Sequence, residues 1–347
     1  MEKPRPRIHI VANCAHRKRV SPSAELGSIS LTGIKKRAGA WWEKLNKLSN
    51  NLNDENLFRE NHDKIKAKYL YVGSYWSKIR QLPDKARLSG FESDLWIVSA
   101  GYGLISSSDD IFSYSATFTP GDKNSVTNGE SNSIKRTEIL NDWWELISNY
   151  SLPESSNPRK LTRLIQENSG DYFLVILSSD YLSAVENDLV EGIKSLSSSE
   201  NLVIVTSKSF SNEALQKNTV TVDARLQCNG DCAEKCEEHL VPRGIRGSIS
   251  ASLAGKIIER AKEHNFNAHS FRQFVQNRIE KSPSLVNYNR TRLDDTTVCK
   301  FISEELDIRP SASCTFLLRK LRNSGWACEQ KRFREHYRST KGMHYEK

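Results

Sequence analysis

Three carboxylates stand where strand-like runs give way to turns: Asp109 and Asp110 in Ser108-Asp109-Asp110-Ile111, and Asp180 in Leu177-Ser178-Ser179-Asp180-Tyr181. A carboxylate beside a strand end can orient a water molecule or offset a developing positive charge. Neighbours i and i+1 rarely face one pocket, so at most one of Asp109 and Asp110 is expected to act. Each carboxylate also has a plainer reading, as a turn or helix-cap aspartate. Upstream, the apolar run Trp96-Ile97-Val98 closes in Ser99-Ala100-Gly101-Tyr102-Gly103. Gly101 and Gly103 would let backbone approach a ligand, and Tyr102 offers a flat face on which a base could stack. An ordinary turn after a strand accounts for the same residues. Ser99 and Tyr114 flank this segment as further substrate contacts.

A second group follows the first apolar run, in Asn13-Cys14-Ala15-His16-Arg17-Lys18-Arg19. Asn13 can both donate to and accept from a base edge. Arg17 and Lys18 suit backbone phosphates. Cys14 lacks an identifiable His or Asn partner and reads as a structural thiol. Downstream, Arg243-Gly244-Ile245-Arg246-Gly247-Ser248 precedes a helix. Arg243, Arg246 and Ser248 there could cradle a phosphate, although the Lys of a P-loop is missing. Cys228, Cys232 and Cys236 recur every four residues, with His239 three later. That spacing matches none of the common zinc patterns, and no metal or other cofactor is assigned.

The elements that must position these groups read as α/β. Arg7 to Asn13, Leu95 to Ala100, Tyr172 to Ser178 and Leu202 to Ser207 are Val/Ile/Leu-rich without strict alternation, as parallel strands covered on both faces are. Thr219 to Val222 is a weaker fifth. Helical patterns lie between them, at Trp41 to Leu48, Tyr69 to Arg80, Ile134 to Asn149, Pro158 to Glu167 and Tyr181 to Leu196. Another follows Gly247 to about Glu263. This alternation predicts a doubly wound, mostly parallel sheet. Gly121 to Ser133 is polar and reads as a mobile surface loop.

A division near Asn265 separates an α/β domain, residues 1–264, from a helical, basic tail, residues 265–347. In the tail, Leu293 to Leu306 forms one helix. Ser311 can cap a second that runs through Arg322, with Gly325 just past its end. Two helices joined by a short turn resemble a helix-turn-helix or winged-helix unit. Arg319, Lys320 and Arg322, extended by Lys331 and Arg332, form a candidate nucleic-acid face, or simply a solvated one.

The 347 residues carry 51 Lys and Arg against 42 Asp and Glu, a net charge of +9, which suits a polyanionic partner such as nucleic acid. No apolar run approaches the ~18 residues of a membrane span. A cytoplasmic protein with no disulfide scaffold is expected.

The pattern of Ile10 to Lys18, the segment Tyr69-Leu70-Tyr71-Val72-Gly73-Ser74, and Leu95 to Leu104 followed by Ile111 to Tyr114 resemble a bacterial domain family. That family is distantly similar to the uracil-DNA-glycosylase fold and to base-exchange proteins of deazaguanine metabolism, and its members occur in antiphage defence. The nearest resemblance is to antiphage DNA glycosylases that remove glucosylated hydroxymethylcytosine from phage DNA. It covers Ile8 to Ser252, with Ser99 to Leu104 the strongest motif. Leu317 to Phe333 is similar to a helical extension of some relatives.

The resemblance implies a monofunctional glycosylase that flips a modified base out of double-stranded DNA and leaves an abasic site. Asn13, Tyr102 and Asp180 would then meet around one pocket. Classical members carry Asp-Pro-Tyr where this chain has Asn13-Cys14-Ala15, and a His-Pro-Ser element that it lacks. Relatives often place an acidic residue where Ser115 stands. These departures move the carboxylate role to Asp109, Asp110 or Asp180. A base-exchange transglycosylase or deoxyribosyltransferase, and a non-catalytic DNA-binding regulator, are the rival readings.

Overall fold

A computed structural model describes residues 5–51, 64–150, 155–207, 210, 212–223, 225–226, 246–261, 266–281 and 289–345. They fall into two compact units that divide at 283/284.

Six strands form the sheet of the first unit: β1 (Arg7–Asn13), β2 (Glu92–Ser99), β3 (Gly103–Ser106), β4 (Tyr172–Ile176), β5 (Leu202–Thr206) and β6 (Thr219–Thr221). Their order is β3-β2-β1-β4-β5-β6, and every pairing is parallel except β2 with β3. Burial is continuous along β5 and the middle of β1, because both faces of these strands are covered.

Two groups of helices supply the cover. In one, α1 (Ile34–Asn51), α4 (Ser133–Ser148), α5 (Leu161–Glu167) and α6 (Ser179–Ile193) pack on one another. The other holds α2 (Ser74–Ile79), α3 (Leu82–Leu88), α7 (Arg246–Ala261) and α8 (Ala268–Glu280), with α7 against β4 and β5. The protein is thus mixed α/β with a mostly parallel sheet.

Several boundaries differ from expectation for local reasons. β2 begins earlier, at Glu92, because Arg7 pairs with both Glu92 and Asp94 across the β1–β2 edge. The single helix expected over Tyr69 to Arg80 is broken at Gly73, whose φ of 110° only glycine adopts without strain. Gly121 to Ser133 is not a loose loop throughout: Asn124, Ser125, Val126 and Thr127 are buried. The division expected near Asn265 moves to 283/284, because Ala268, Phe271 and Val275 of α8 belong to the core of the first unit.

The second unit contains α9 (Asp295–Ile308), α10 (Cys314–Asn323) and α11 (Gln330–Tyr345) around Val298, Ile302, Leu317, Leu321 and Phe333. Asp294 caps α9. The cap of α10 is Ser313 rather than Ser311, and Gly325 follows that helix with φ 84°. Among the described residues its only strands are two-residue segments, Thr291–Arg292 and Trp326–Ala327, paired in parallel. The antiparallel hairpin of a wing is not among them. No described helix is long and apolar enough to cross a membrane.

Candidate functional site

The chain lays β1, β2 and β3 in one direction across the sheet and then resumes on the other side of β1 with β4. At such a reversal the loops leaving the two carboxyl ends diverge and open a crevice, the usual ligand position in open α/β sheets. Here that position is the edge beyond Asn13 and Ile176. The Asn13 side-chain oxygen accepts from the Ser178 amide at 3.2 Å and from the Tyr75 hydroxyl at 3.3 Å, while its amide donates to the Cys14 carbonyl at 2.8 Å. Tyr75 spans both strand ends, since its hydroxyl also donates to the Ile176 carbonyl at 3.0 Å.

Two long helices start at this edge. Ser178 precedes α6, which places Asp180 in its first turn. Gly247, in the first turn of α7, packs on the Tyr75 ring. Lys78 fastens α7 there by donating to the Ser252 hydroxyl at 2.5 Å and to the Ser248 carbonyl at 3.4 Å. Helix starts are electropositive and favour an anionic group in front of them. Ser248 itself is buried and already engaged through its carbonyl. The Arg246 side chain, Arg243 and the Cys228/Cys232/Cys236/His239 group lie outside the described residues.

Beneath this edge is a buried polar cluster. The Cys14 thiol meets the Tyr181 hydroxyl at 3.0 Å, Tyr71 meets Tyr114 at 3.0 Å, and Ser99 Oγ meets the Tyr114 hydroxyl at 2.6 Å. Burial drives the phenols of Tyr71, Tyr114 and Tyr181 well above the usual tyrosine range, so they remain neutral donors. Lys18 caps the cluster with its ammonium 4.3 Å from the Tyr114 ring centre, donating to the Ala15 carbonyl at 3.1 Å. Desolvation lowers its pKa. Lys18 is therefore part of the cluster and not an outward phosphate contact, whereas Arg17 is exposed.

Ser99, Gly101, Tyr102, Gly103 and Tyr114 are explained by packing. Ser99 Oγ accepts from the amides of Gly101 at 3.2 Å and Tyr102 at 3.0 Å. Trp143 and Trp41 donate their indole N–H groups to the carbonyls of Ala100 and Gly101, each at 2.8 Å. A Cβ on Gly101 would stand 2.5 Å from the Tyr114 ring, so this glycine admits an aromatic neighbour. Gly103 has φ 72° and turns the chain into β3. Tyr102 is only 2% exposed and lies edge-on to Tyr114, with ring centres 5.1 Å apart. The expectation that Tyr102 stacks on a base is thus corrected: the ring is buried against Tyr114 and Trp42. It does border a cavity of about 120 Å³ with Trp42, Lys64, Asp109, Asp110 and Phe112. That volume is below the ~300 Å³ at which small-molecule sites begin.

The three carboxylates separate. Asp109 holds a turn by accepting from the Ser106 amide at 2.8 Å, and it anchors Asn157 at 2.9 Å and Ser155 at 3.2 Å. Nearby, the Arg159 guanidinium donates to the carbonyls of Tyr102 and Leu104, and burial lowers its pKa to about 10. Asp110 forms a half-exposed ion pair with Lys66 at 2.9 Å. Both thus have structural partners, and both also line the cavity beside Tyr102. Asp180 alone stands at the carboxyl edge with Asn13. The expected meeting of Asn13, Tyr102 and Asp180 around one pocket is not seen: Tyr102 lines a cavity without the other two, and on the α6 side Asn13 reaches only Ser178, two residues before Asp180.

Tyr75 and Tyr181 were not singled out from sequence. Each follows a small or polar residue just after an apolar run, the setting in which a buried tyrosine uses its hydroxyl to close strand ends.

In the second unit the basic face is partly spent internally. Lys320 pairs with Glu305 at 2.7 Å, Arg332 pairs with Asp295 at 2.5 Å, and Arg322 donates to the Cys328 carbonyl at 3.1 Å. Arg319 is exposed, and the Lys331 side chain lies outside the described residues. Cys299 Sγ is 3.4 Å from His336 Nδ1, and His336 Nε2 is 2.8 Å from Asp295.

Comparison of the chain with protein-family models, with curated proteins and with solved structures found no match. The functional reading therefore rests on the residues themselves.

Proposed function

We propose that the first unit is an N-glycosidic bond hydrolase of the DNA glycosylase type, with a uracil-DNA-glycosylase-like fold, acting on a base everted from double-stranded DNA. The observation that supports this reading is the pairing of Asn13 with Ser178 across the point where strand order reverses, next to the helix whose first turn carries Asp180. In this reading Asp180 orients the attacking water and offsets charge on the oxocarbenium-like sugar. Asn13, with its carbonyl oxygen engaged twice, holds the start of α6 and thereby positions Asp180. The net charge of +9 and exposed Arg17 suit a DNA backbone.

The candidate substrate is glucosylated hydroxymethylcytosine in phage DNA, and the biological setting is antiviral defence. Both come from the resemblance of Ile8 to Ser252. Incubating the full chain with plain and hypermodified phage DNA, followed by mass spectrometry of released base, tests the proposal. Free modified base together with abasic DNA is the expected result. A trapped protein–sugar adduct would favour base exchange instead. Salt-sensitive binding to both DNAs without released base would favour a regulator.

A further inference from the structure

Arg37, in the first turn of α1, is 4% exposed, yet among the described residues no carboxylate pairs with it. Its guanidinium donates to the backbone carbonyls of Val126 at 2.8 Å and Ser125 at 3.4 Å, and its Nε has no partner among the described residues. Buried charges are normally paired, because removing a cation from water without a counter-charge is costly. The side chain lines a shallow, solvent-open cavity of about 430 Å³ with Gly33, Ile34, Thr127, Glu130 and Ser131. This cavity also receives the amino-terminal end of the 18-residue helix α1. The first-turn amides of a helix lack intrahelical acceptors, and its dipole attracts negative charge. The turn itself reads Ile34-Lys35-Lys36-Arg37 and supplies no acidic side chain.

We infer that this cavity binds a phosphate group, held by the Arg37 guanidinium, the α1 amino terminus and the Thr127 and Ser131 hydroxyls. A planar guanidinium carries five N–H donors, of which the carbonyls of Val126 and Ser125 take two, and its fork suits phosphate oxygens. Desolvation alone lowers the Arg37 pKa, as expected for a cation awaiting an anion. Glu130 is the opposing charge on the wall, and its carboxylate accepts from the Asn132 amide at 2.9 Å, which holds it in place. Lys35 and Lys36, in the same first turn, are exposed and add positive charge to this end of α1. Asp180 is not among the residues that line this cavity, and the site does not depend on the glycosylase reading.

Isothermal titration of the full chain in phosphate- and sulfate-free buffer tests it, with inorganic phosphate and a short oligodeoxynucleotide as separate probes. Arg37→Gln should abolish binding. Because that variant could also loosen the 125–126 loop, the exposed Ser131→Glu is the decisive one. It should weaken binding by about tenfold or more by placing a like charge at the mouth. Glu130→Gln keeps the hydrogen-bond acceptor and should tighten binding by roughly two- to fivefold, a gain that a purely structural role would not produce. Ser131→Glu-sensitive binding of phosphate alone assigns a free phosphate; such binding of the oligonucleotide as well assigns a nucleic-acid backbone. Absence of binding by both probes, or equal binding by wild type and Ser131→Glu, overturns the inference. Asp180→Asn should leave this binding unchanged, so failure here and failure of the catalytic reading are distinguishable.

Discussion

Asn13 accepts a hydrogen bond from the amide of Ser178 at 3.2 Å, linking two strand ends that are 165 residues apart in the chain. The same oxygen receives the Tyr75 hydroxyl. Asn13→Ala removes the acceptor from both donors. The Tyr75 hydroxyl keeps the Ile176 carbonyl and the Ser178 amide is exposed to water, so the cost is that of the lost bonds, about 0.5–1.5 kcal/mol. Thermal melting checks this, and an unchanged melting temperature would contradict it.

Gly101 is required by the Tyr114 ring and not by a ligand. Gly101→Ala forces a methyl to 2.5 Å from that ring. Overpacking of this kind costs about 1–3 kcal/mol. Denaturant unfolding should show a lower midpoint with an unchanged slope.

His9 gives the fold a pH dependence. It is buried, Trp96 donates to its Nδ1 at 3.2 Å, and Nε2 lies 3.0 Å from Asp171. An indole N–H can only donate, so Nδ1 is the acceptor and Nε2 carries the proton. Burial lowers the His9 pKa, outweighing the carboxylates of Asp171 and Asp94. A histidine whose folded pKa is depressed contributes full stability above its unfolded pKa of about 6.5. That contribution is lost as pH falls from there through the folded pKa, because the unfolded chain takes up the proton first. Melting temperature should therefore drop between pH 7.5 and 5 more steeply in wild type than in His9→Gln. The reverse order would refute the assignment.

In the second unit, the Cys299 thiol lies 3.4 Å from His336 Nδ1, and Asp295 orients that imidazole through Nε2, so a base stands within reach of the thiol. Burial instead pushes the thiols of Cys314 and Cys328 up. Iodoacetamide followed by peptide mass spectrometry should label Cys299 ahead of those two. His336→Ala should slow that labelling by roughly tenfold or more. Labelling of all three at one rate, unaffected by His336→Ala, would contradict this.

Four of the parallel strands were legible in the sequence because each carries a short Val/Ile/Leu run, and burial on both faces leaves no alternation to misread, whereas the edge strand Thr219–Thr221 gave only a weak signal. β3 was not, because Gly103 to Ser106 is four residues long and follows a glycine that reads equally as a loop. The buried stretch Asn124 to Thr127 was read as mobile because its residues are mostly polar. Its burial comes from partners remote in sequence, such as Arg37 on the Val126 carbonyl and Gly27 on the Asn124 side chain. Asp109, Asp110 and Asp180 look alike in sequence; only the antiparallel return of β3 carries the first two away from the carboxyl edge. Gly101 and Tyr102 resembled a ligand loop because a glycine that admits a ring and one that admits a ligand are identical in a sequence.

The account turns on which carboxylate acts. Base release from hypermodified phage DNA should be measured for wild type, Asp110→Asn and Asp180→Asn under single-turnover conditions. Loss of a positioned acid–base group lowers such rates by about 10²–10⁴-fold, and that loss is expected for Asp180→Asn. Asp110→Asn, which removes only an ion pair at the surface with Lys66, should retain near wild-type rates. Full activity in Asp180→Asn would contradict the central claim.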